Sequence, residues 1–315
     1  MDGMVAGFLE GLLEPVLALG DPAKRIYYGS LMGALLVMLA FYRRNFPEKV
    51  KNLLFNRQLW FHPSSMLDFR IVMVNGFLRV LAIAPMLATV TGVGATVYVT
   101  CTEVFGAITP VQWPPLAIMA LFTAVAFLAE DFSRFFLHYL QHKLPFLWEF
   151  HKVHHSAEVL TPLTLYRTHP VEIFCAGMRH GLVMGLVTGV FFYAFRGQIS
   201  GFDILGVDAA GFLFNFLGAN LRHSHVPISY GPFEAIFISP KQHQIHHSRA
   251  REHFDKNFGS CFAFWDRLFG TFYSSESAAK TLEFGLSARE RNHTNRLLSV
   301  IFGPFFALVP NRWRP

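Results

Sequence analysis

The sequence predicts an all-α integral membrane protein built as a helical bundle. Only 15% of its 315 residues are charged, 52% are hydrophobic, and the mean hydropathy is +0.35. A typical soluble domain has about 25% charged residues. Several uncharged runs also approach or reach the roughly 17–25 residues that a bilayer-spanning helix requires. This composition excludes disorder, a coiled coil and a disulfide-stapled mini-protein.

Five apolar segments are predicted to cross or nearly cross the membrane: 26–42, 77–99, 113–129, 173–195 and 202–218. Only the short sequence RGQISG separates the last two, so we expect them to form a helical hairpin. The stretch 4–19 contains two glutamates and a proline, and we expect it to lie at the interface. The acidic residues near the N-terminus also argue against a cleaved signal peptide.

The distribution of basic residues predicts the orientation of the spans. The loop after the first span is rich in lysine and arginine, whereas the loop 100–112 has neither. Under the positive-inside rule the first loop is cytoplasmic. Counting spans forward then places 131–170 and 219–295 on the cytoplasmic side as well. We therefore expect a helical cap on the bundle, facing the cytoplasm.

The net charge of +6 does not indicate a nucleic-acid partner. The basic residues are dispersed among apolar segments, whereas a nucleic-acid interface would concentrate them with exposed aromatic residues. The three cysteines, Cys101, Cys175 and Cys261, are far apart and form no CxxC pair. The sequence therefore indicates neither a disulfide framework nor a thiolate zinc site.

The histidines are numerous and regularly spaced. Thirteen of the fifteen lie between residues 138 and 253, and three groups stand out: HYLQH at 138–142, HKVHH at 151–155 and HQIHH at 243–247. Positions i, i+3 and i+4 share one face of a helix, so each group presents its imidazoles on one arc. Imidazole is the commonest metal ligand. Three arcs would supply more nitrogens than one metal ion can use, so the sequence predicts a two-metal site. The isolated His62, His180 and His293 are expected to be ordinary polar residues.

The composition of these groups narrows the choice of metal. Imidazole suits zinc, copper, iron and nickel. A structural zinc site usually has four ligands and includes cysteine, and the HExxH motif of zinc proteases is absent. A carboxylate-bridged di-iron bundle would need ExxH pairs, which are also absent. A paired, all-nitrogen site in a membrane protein points to dioxygen chemistry on iron.

The order of these motifs resembles the fatty acid hydroxylase/sterol desaturase superfamily of integral membrane di-iron enzymes. EDFSRFFLHYLQH resembles its acid-led first box, RTHPVE its Arg-x-His-Pro-x-Glu segment, and NLRHSH the isolated histidine before its last box. SPKQHQIHH, followed by DKNFG and WDRLFGT, resembles its closing signature. The resemblance covers about residues 127–273. Tyr139 and Gln244 stand where many members have arginine, which bears on the subfamily and not on ligation.

The resemblance implies two iron ions as cofactors and O2 as co-substrate, with no catalytic side chain beyond the metal centre. The implied ligands are His138, His142, His151, His154, His155, His223, His243, His246 and His247. Candidates for an additional ligand or a supporting role are His169, His225, Asp131, Glu172, Asn257 and Asp266. The three carboxylates would fix imidazole tautomers. Asp131 lies seven residues before His138 on the same helix face, so it could accept a ligand's N–H. Their alternative roles are helix capping or salt bridges to Arg134, Arg179 or Arg267.

The implied activity is O2-dependent hydroxylation of a fatty acyl chain, sterol or related lipid. Desaturation by a member of the same superfamily is the alternative. A metal transporter would carry more acids or histidines along its spans. A haem carrier would need facing histidine pairs inside two spans, and the intact histidine groups argue against an inactive scaffold.

We expect the electrons to come from a separate donor, either cytochrome b5-like or a ferredoxin with its reductase. His62-Pro63 is followed by Ser-Ser, whereas a cytochrome b5-like module would have Gly-Gly there. The expected membrane is the bacterial inner membrane or the endoplasmic reticulum. We expect an interfacial segment with transmembrane helices at 1–112, a di-metal catalytic domain at 113–273 that includes the hairpin at about 173–218, and an interfacial tail at 274–315.

Overall fold

The computed structural model describes residues 20, 27–196, 219–279, 281–287 and 295–309. Within these residues the secondary structure is helical apart from two isolated β-bridges, which confirms the all-α fold class. The predicted interfacial stretch 4–19 and the predicted span 202–218 lie outside the described residues, as does His293.

The described helices are α1 (Tyr28–Tyr42), α2 (Phe46–Phe55), α3 (Arg57–Trp60), α4 (Pro63–Phe105), α5 (Pro115–Lys143), α6 (Pro145–His155), α7 (Pro170–Phe195), α8 (Pro240–His246), α9 (Phe264–Leu268) and α10 (Leu297–Leu308). Short 3-10 turns cover Arg43–Asn45, Pro162–Tyr166, Ala219–His223, Gly231–Ala235, Arg251–His253 and Ser275–Ser277. Helices α4 to α8 each begin at a proline. Its fixed φ and missing N–H suit the first helical position.

Three of these helices are long and apolar enough to cross a membrane: Pro85–Phe105 within α4, all of α5 and all of α7. They carry three of the five predicted spans, and the chain is an integral membrane protein. The apolar part of α4 begins and ends later than the predicted span 77–99. The predicted first span is α1, whose 15 residues fall short of a full crossing.

Helices α5 and α7 run antiparallel and share the core of the membrane part. Phe122 of α5 meets Phe191 of α7 edge to face, with ring centroids 5.1 Å apart. Nearer the other end of the pair, Gln141 of α5 donates to Glu172 of α7. These two contacts fix the register, so residues of α5 toward its C-terminus face the first turns of α7.

Helices α4 and α7 approach each other closely along a row of glycines. Gly181, Gly185 and Gly189 repeat every four residues and therefore lie on one face of α7. A Cβ atom on Gly185 would lie 2.7 Å from the Cβ of Val93 on α4, so no larger residue fits without displacing a helix. Small residues at this spacing are typical of close helix packing in membranes.

The cap consists of α6 with the segments 156–169, 219–279 and 281–287, and it packs against the C-terminal part of α5, where Phe262 meets Phe127. Buried Arg167 connects the cap to α4. Its guanidinium donates to Asp68 of α4 at 3.0 Å and to the carbonyl of Val153 in α6 at 3.0 Å. This connection fixes the position of α6, whose last two turns carry three of the predicted ligands.

Candidate metal centre

The structure brings all nine histidines of the implied ligand set together in two adjacent groups. The first group contains His138, His142, His151, His155 and His246, and the second contains His154, His223, His243 and His247. Within each group one nitrogen per residue lies within 4.8 Å of the others. The groups adjoin, since the rings of His155 and His247 stack with centroids 4.6 Å apart. The sequence did not indicate this division into five and four.

Each of the three histidine motifs lies near the C-terminal end of a helix. His138 and His142 occupy the last two turns of α5, and α6 begins immediately afterwards at Pro145, which brings His155 Nε2 to 3.1 Å from His142 Nε2. The start of α8 is fixed by a reciprocal capping box. Ser239 Oγ accepts from Gln242 N at 3.1 Å, and Gln242 Oε1 accepts from Ser239 N at 3.1 Å. This start places the HQIHH residues on one short helix and its C-terminal end.

The outward-facing nitrogens of several cluster histidines donate to backbone carbonyls. His138 Nδ1 donates to Phe258 O at 2.9 Å, and His246 Nδ1 donates to Lys256 O at 2.8 Å. His154 Nδ1 donates in the same way to the carbonyl of Arg167 at 3.2 Å. A carbonyl can only accept, so these contacts fix the tautomer that leaves Nε2 without a proton.

The inward-facing nitrogens converge on one another. His223 Nε2 lies 3.2 Å from His154 Nε2, 3.1 Å from His247 Nε2 and 3.0 Å from His243 Nε2. A single N–H cannot satisfy three nitrogen neighbours. Two nitrogens bound to one metal ion at about 2.0–2.1 Å would lie roughly 3.0–3.4 Å apart. The spacing therefore fits a shared cation.

In the first group, too, the Nε2 atoms are arranged to share a cation. His142 Nε2 lies 3.1 Å from His155 Nε2. The Nε2 atoms of His138, His151 and His246 are buried and have no hydrogen-bond partner. A buried polar atom without a partner costs about 1–3 kcal/mol, so three in one place call for a bound ion. The residues present fit two metal ions with imidazole ligands.

Burial keeps these imidazoles uncharged. It lowers the pKa of His154 to about 3, because the charged form loses its solvation, and nearby His138 lowers it further. Burial, together with the neighbouring histidines, also places the pKa well below its usual value in His151, His155, His243, His246 and His247. The neutral imidazole is the form that binds metals.

Glu172 is the predicted supporting carboxylate that contacts a cluster histidine. Its Oε2 lies 2.6 Å from His151 Nδ1 and also accepts from Gln141 at 3.0 Å. Its Oε1 accepts from the backbone N–H of His169, completing the capping box that begins α7. Glu172 therefore fixes the orientation of His151, and it also caps the first turn of α7, its own helix.

Asp131 and Asp266 do not make the imidazole contacts that the sequence suggested. Asp131 accepts from the backbone N–H of Cys261 at 2.7 Å and from the indole of Trp265 at 3.0 Å. Asp131 lies seven residues before His138, which is about 10 Å along a helix. At the level of Asp131 on α5, the neighbouring segment is the chain at 261–262, whose backbone N–H groups contact the carboxylate. The predicted contact with a ligand's N–H is therefore wrong.

Asp266 instead supports the loop that receives His138. It accepts from the backbone N–H groups of Phe258 at 2.7 Å and Gly259 at 2.8 Å, and Phe258 O accepts from His138. Helix capping, the predicted alternative role, is the one that Glu172 also has, whereas the contacts of Asp131 and Asp266 are neither helix caps nor salt bridges. The guanidinium of Arg267 lies 4.5 Å from the ring centroid of Phe272.

The remaining candidates lie outside both groups. His169 caps α7 through its Nδ1 and donates from Nε2 to Ile301 O at 2.9 Å. His225 is exposed and belongs to neither group. Asn257, with φ at 58°, donates from its side chain to Gln242 O and Tyr273 O, which fastens the end of the cap to α8.

Two of the isolated histidines have ordinary polar partners. His62 Nδ1 accepts from Ser64 N at 3.2 Å at the start of α4. His180 Nδ1 lies 2.8 Å from Glu130 Oε1. Neither of them belongs to a histidine group.

A cavity of about 280 Å³ opens from the cap surface onto the first group and the edge of the second. Trp148 and Asp255 line it, and neither was identified from the sequence. The Trp148 ring lies 5.0 Å from that of His142, and Asp255 Oδ1 lies 3.6 Å from His142 Nδ1. The DKNFG motif was the signal for Asp255, whose backbone adopts a φ of 59°.

Comparison with known proteins supports the resemblance drawn from the motifs. Residues 123–271, a range that contains all nine histidines, match the fatty acid hydroxylase family. The match covers 149 of the 315 residues and confirms the resemblance to this superfamily over that region. No solved structure matches the chain significantly.

Similar curated proteins are lipid oxygenases by name. The chain is 30% identical to the alkylglycerol monooxygenase of Homo sapiens over 188 residues, 60% of this chain and 38% of that protein. It is 28% identical to the ornithine lipid hydroxylase of Rhizobium tropici over 57% of this chain and 49% of the relative. It is 26% identical to a methylsterol monooxygenase of Aspergillus fumigatus over 59% of this chain and 60% of the relative. The chain therefore spans less than two thirds of each relative.

Proposed function

We propose that this protein is a membrane enzyme that uses O2 and two electrons to hydroxylate a C–H bond of a lipid. The observation that carries the proposal is the pair of adjacent, buried imidazole groups at the ends of apolar helices. Relatives named for hydroxylating or oxygenating alkylglycerols, ornithine lipids and methylsterols support a lipid substrate.

The nine histidines would hold two iron ions, divided five and four as the two groups are. Bound iron would supply the activation of O2 and the oxidation of the C–H bond. The chain's own contribution is geometric. Carbonyls of the cap and Glu172 hold the outer ring nitrogens, so that unprotonated inner nitrogens are presented before any ion arrives.

The helices that carry the centre also offer a path for a lipid. His138 lies nine residues, about 13 Å, beyond Ala129, where the uncharged part of α5 ends. A lipid chain leaving the bilayer along α5 would therefore have to travel only a short distance to the cluster. The buried surroundings of the cluster would keep water from the reacting carbon.

The cap would be the site of electron delivery from a separate donor protein. The cavity beside Trp148 reaches the first histidine group from the cap surface. We place this surface in the cytoplasm, because the basic loop after α1 and the uncharged loop 106–114 follow the positive-inside rule.

Lipid mass spectrometry tests this function directly. A host carrying the gene should contain a lipid class heavier by one oxygen than the same host without the gene. His154→Ala should abolish that product, while His62→Asn, which keeps a capping side chain at the start of α4, should retain it. Loss of two hydrogens would identify a desaturase, and unchanged lipids in a host that expresses the metal-loaded protein would contradict the proposal.

A further inference from the structure

A second polar cluster lies between α5 and α7, outside the histidine groups. It consists of Glu130, Ser133 and Arg134 on α5 and Arg179 and His180 on α7, and we name it the interfacial cluster. The mechanism proposed above uses none of these residues. Ionisable residues on membrane helices are costly, and they commonly mark a functional site.

The depth of the interfacial cluster follows from the sequence on both helices. No charged residue occurs at 115–129 of α5 or at 181–195 of α7. Each stretch has 15 residues, about 22 Å of helix, which is most of the roughly 30 Å hydrocarbon core. The interfacial cluster begins where both stretches end, so it lies at the depth of the lipid headgroups on the side of the cap.

One carboxylate lies at the centre of the interfacial cluster, surrounded by donors. Glu130 Oε2 accepts from Nη1 and Nη2 of Arg179 at 3.1 Å each, and lies 3.3 Å from Nη2 of Arg134. His180 Nδ1 lies 2.8 Å from Glu130 Oε1, and Arg179 also donates to Ser133 Oγ at 2.6 Å. The guanidiniums of Arg134 and Arg179 thus share the single carboxylate of Glu130, so the three groups together have a net charge of one positive unit.

The excess charge faces outward. The side chains of Glu130 and Arg179 are only 7% and 14% exposed, whereas those of Arg134 and His180 are 46% and 38% exposed. The Glu130 carboxylate is therefore shielded from solvent, and the exposed edge of the cluster is formed by the side chains of Arg134 and His180. On the membrane side of the interfacial cluster, Leu128 and Leu182 are exposed, each two residues along its helix from Glu130 or His180.

We propose that the interfacial cluster binds the phosphate group of an anionic membrane lipid. Arg134 and His180 would contact the phosphate, and the acyl chains would extend along the uncharged stretches of α5 and α7 toward the membrane core. Basic pockets between transmembrane helices are suited to anionic headgroups, and a guanidinium matches the geometry of a phosphate. This site depends on the membrane position of α5 and α7, and it is independent of the proposed hydroxylase activity.

The test compares two lipids that differ in headgroup charge. The purified protein is titrated in detergent with phosphatidylglycerol and, separately, with phosphatidylcholine of the same chains, and bound lipid is counted by native mass spectrometry. The wild type should prefer phosphatidylglycerol. Arg134→Gln should reduce that preference roughly fivefold, the change expected for one basic group near an anionic headgroup. Adding His180→Gln should reduce it further.

Lys51→Gln is the matched control, because Lys51 is exposed on α2 and its loss changes the net charge by the same amount. It should leave the lipid preference unchanged, and all variants should unfold at the same temperature as the wild type. The proposal is overturned if Arg134→Gln and Lys51→Gln have equal effects. It is also overturned if inorganic phosphate displaces the lipid, since the ligand would then be a free anion.

Discussion

Helix α5 carries two polar clusters about 12 Å apart, the interfacial cluster at Glu130 and the histidine groups that begin at His138. In the interfacial cluster the buried carboxylate faces cations and donors. In the histidine groups the inner nitrogens face other nitrogens at 3.0–3.2 Å. The first arrangement compensates the cost of its own burial, whereas the second requires a positive charge from outside the chain.

The largest expected effect comes from removing one ligand of the histidine groups. His246→Ala deletes a nitrogen that the Lys256 carbonyl orients toward the first group. We expect product formation to fall at least about 100-fold, because a missing ligand costs more than the loss of its supporting partner. Iron content should fall in the same preparation. A variant with full iron content and wild-type turnover would contradict the assignment of His246 as a ligand.

Substitutions in the interfacial cluster are expected to lower the free energy of unfolding of the protein. Arg179→Leu leaves Glu130 buried with fewer opposite charges, and breaking a buried pair costs about 3–5 kcal/mol of unfolding free energy. The double variant Arg179→Leu/Glu130→Leu should regain most of that loss. Denaturation in detergent measures both variants. If the double variant is as unstable as the single one, the cost does not arise from an uncompensated charge.

A smaller effect is expected from the carboxylate that orients His151. Glu172→Gln keeps the size of the side chain but leaves one accepting oxygen in place of two for Gln141, His151 and the His169 N–H, so iron affinity should fall about 10- to 100-fold. Iron titration of the metal-free protein measures the change. Glu149→Gln is the matched control, since Glu149 pairs with Lys152 on the cap. Equal affinity in Glu172→Gln and the wild type would show that the contact at 2.6 Å does not support binding.

The smallest effect is expected at His225, two residues from His223. Only His223 belongs to a histidine group, while His225 is exposed. His225→Ala should therefore keep wild-type iron content and turnover, although the sequence alone made it a candidate. A loss of iron in this variant would mean that His225 reaches a metal ion.

Local periodicity explains why so much of the site was predictable. HxxxH and HxxHH each place their imidazoles on one helix face, and the structure brings all nine residues together. Periodicity does not determine which histidine-bearing helix face contacts which other face. His154 and His155 are neighbours on α6 yet belong to different groups, because His154 meets His223 whereas His155 meets His142.

Contacts between distant parts of the chain account for what the sequence did not reveal. Asp131 has the right spacing for His138, but its partners lie 130 residues further along the chain. Glu130 likewise meets Arg179 only through the antiparallel packing of α5 and α7. Hydropathy located three spans, but it could not place the ends of α4 and α5, because both helices continue well outside their apolar parts.

The most direct test of the account is the metal content of the purified protein, measured together with its visible spectrum. Two histidine groups predict two iron ions per chain and no Soret band. Iron that stops at one ion per chain, or the spectrum of a bound haem, would contradict the central claim that nine imidazoles form a two-metal centre.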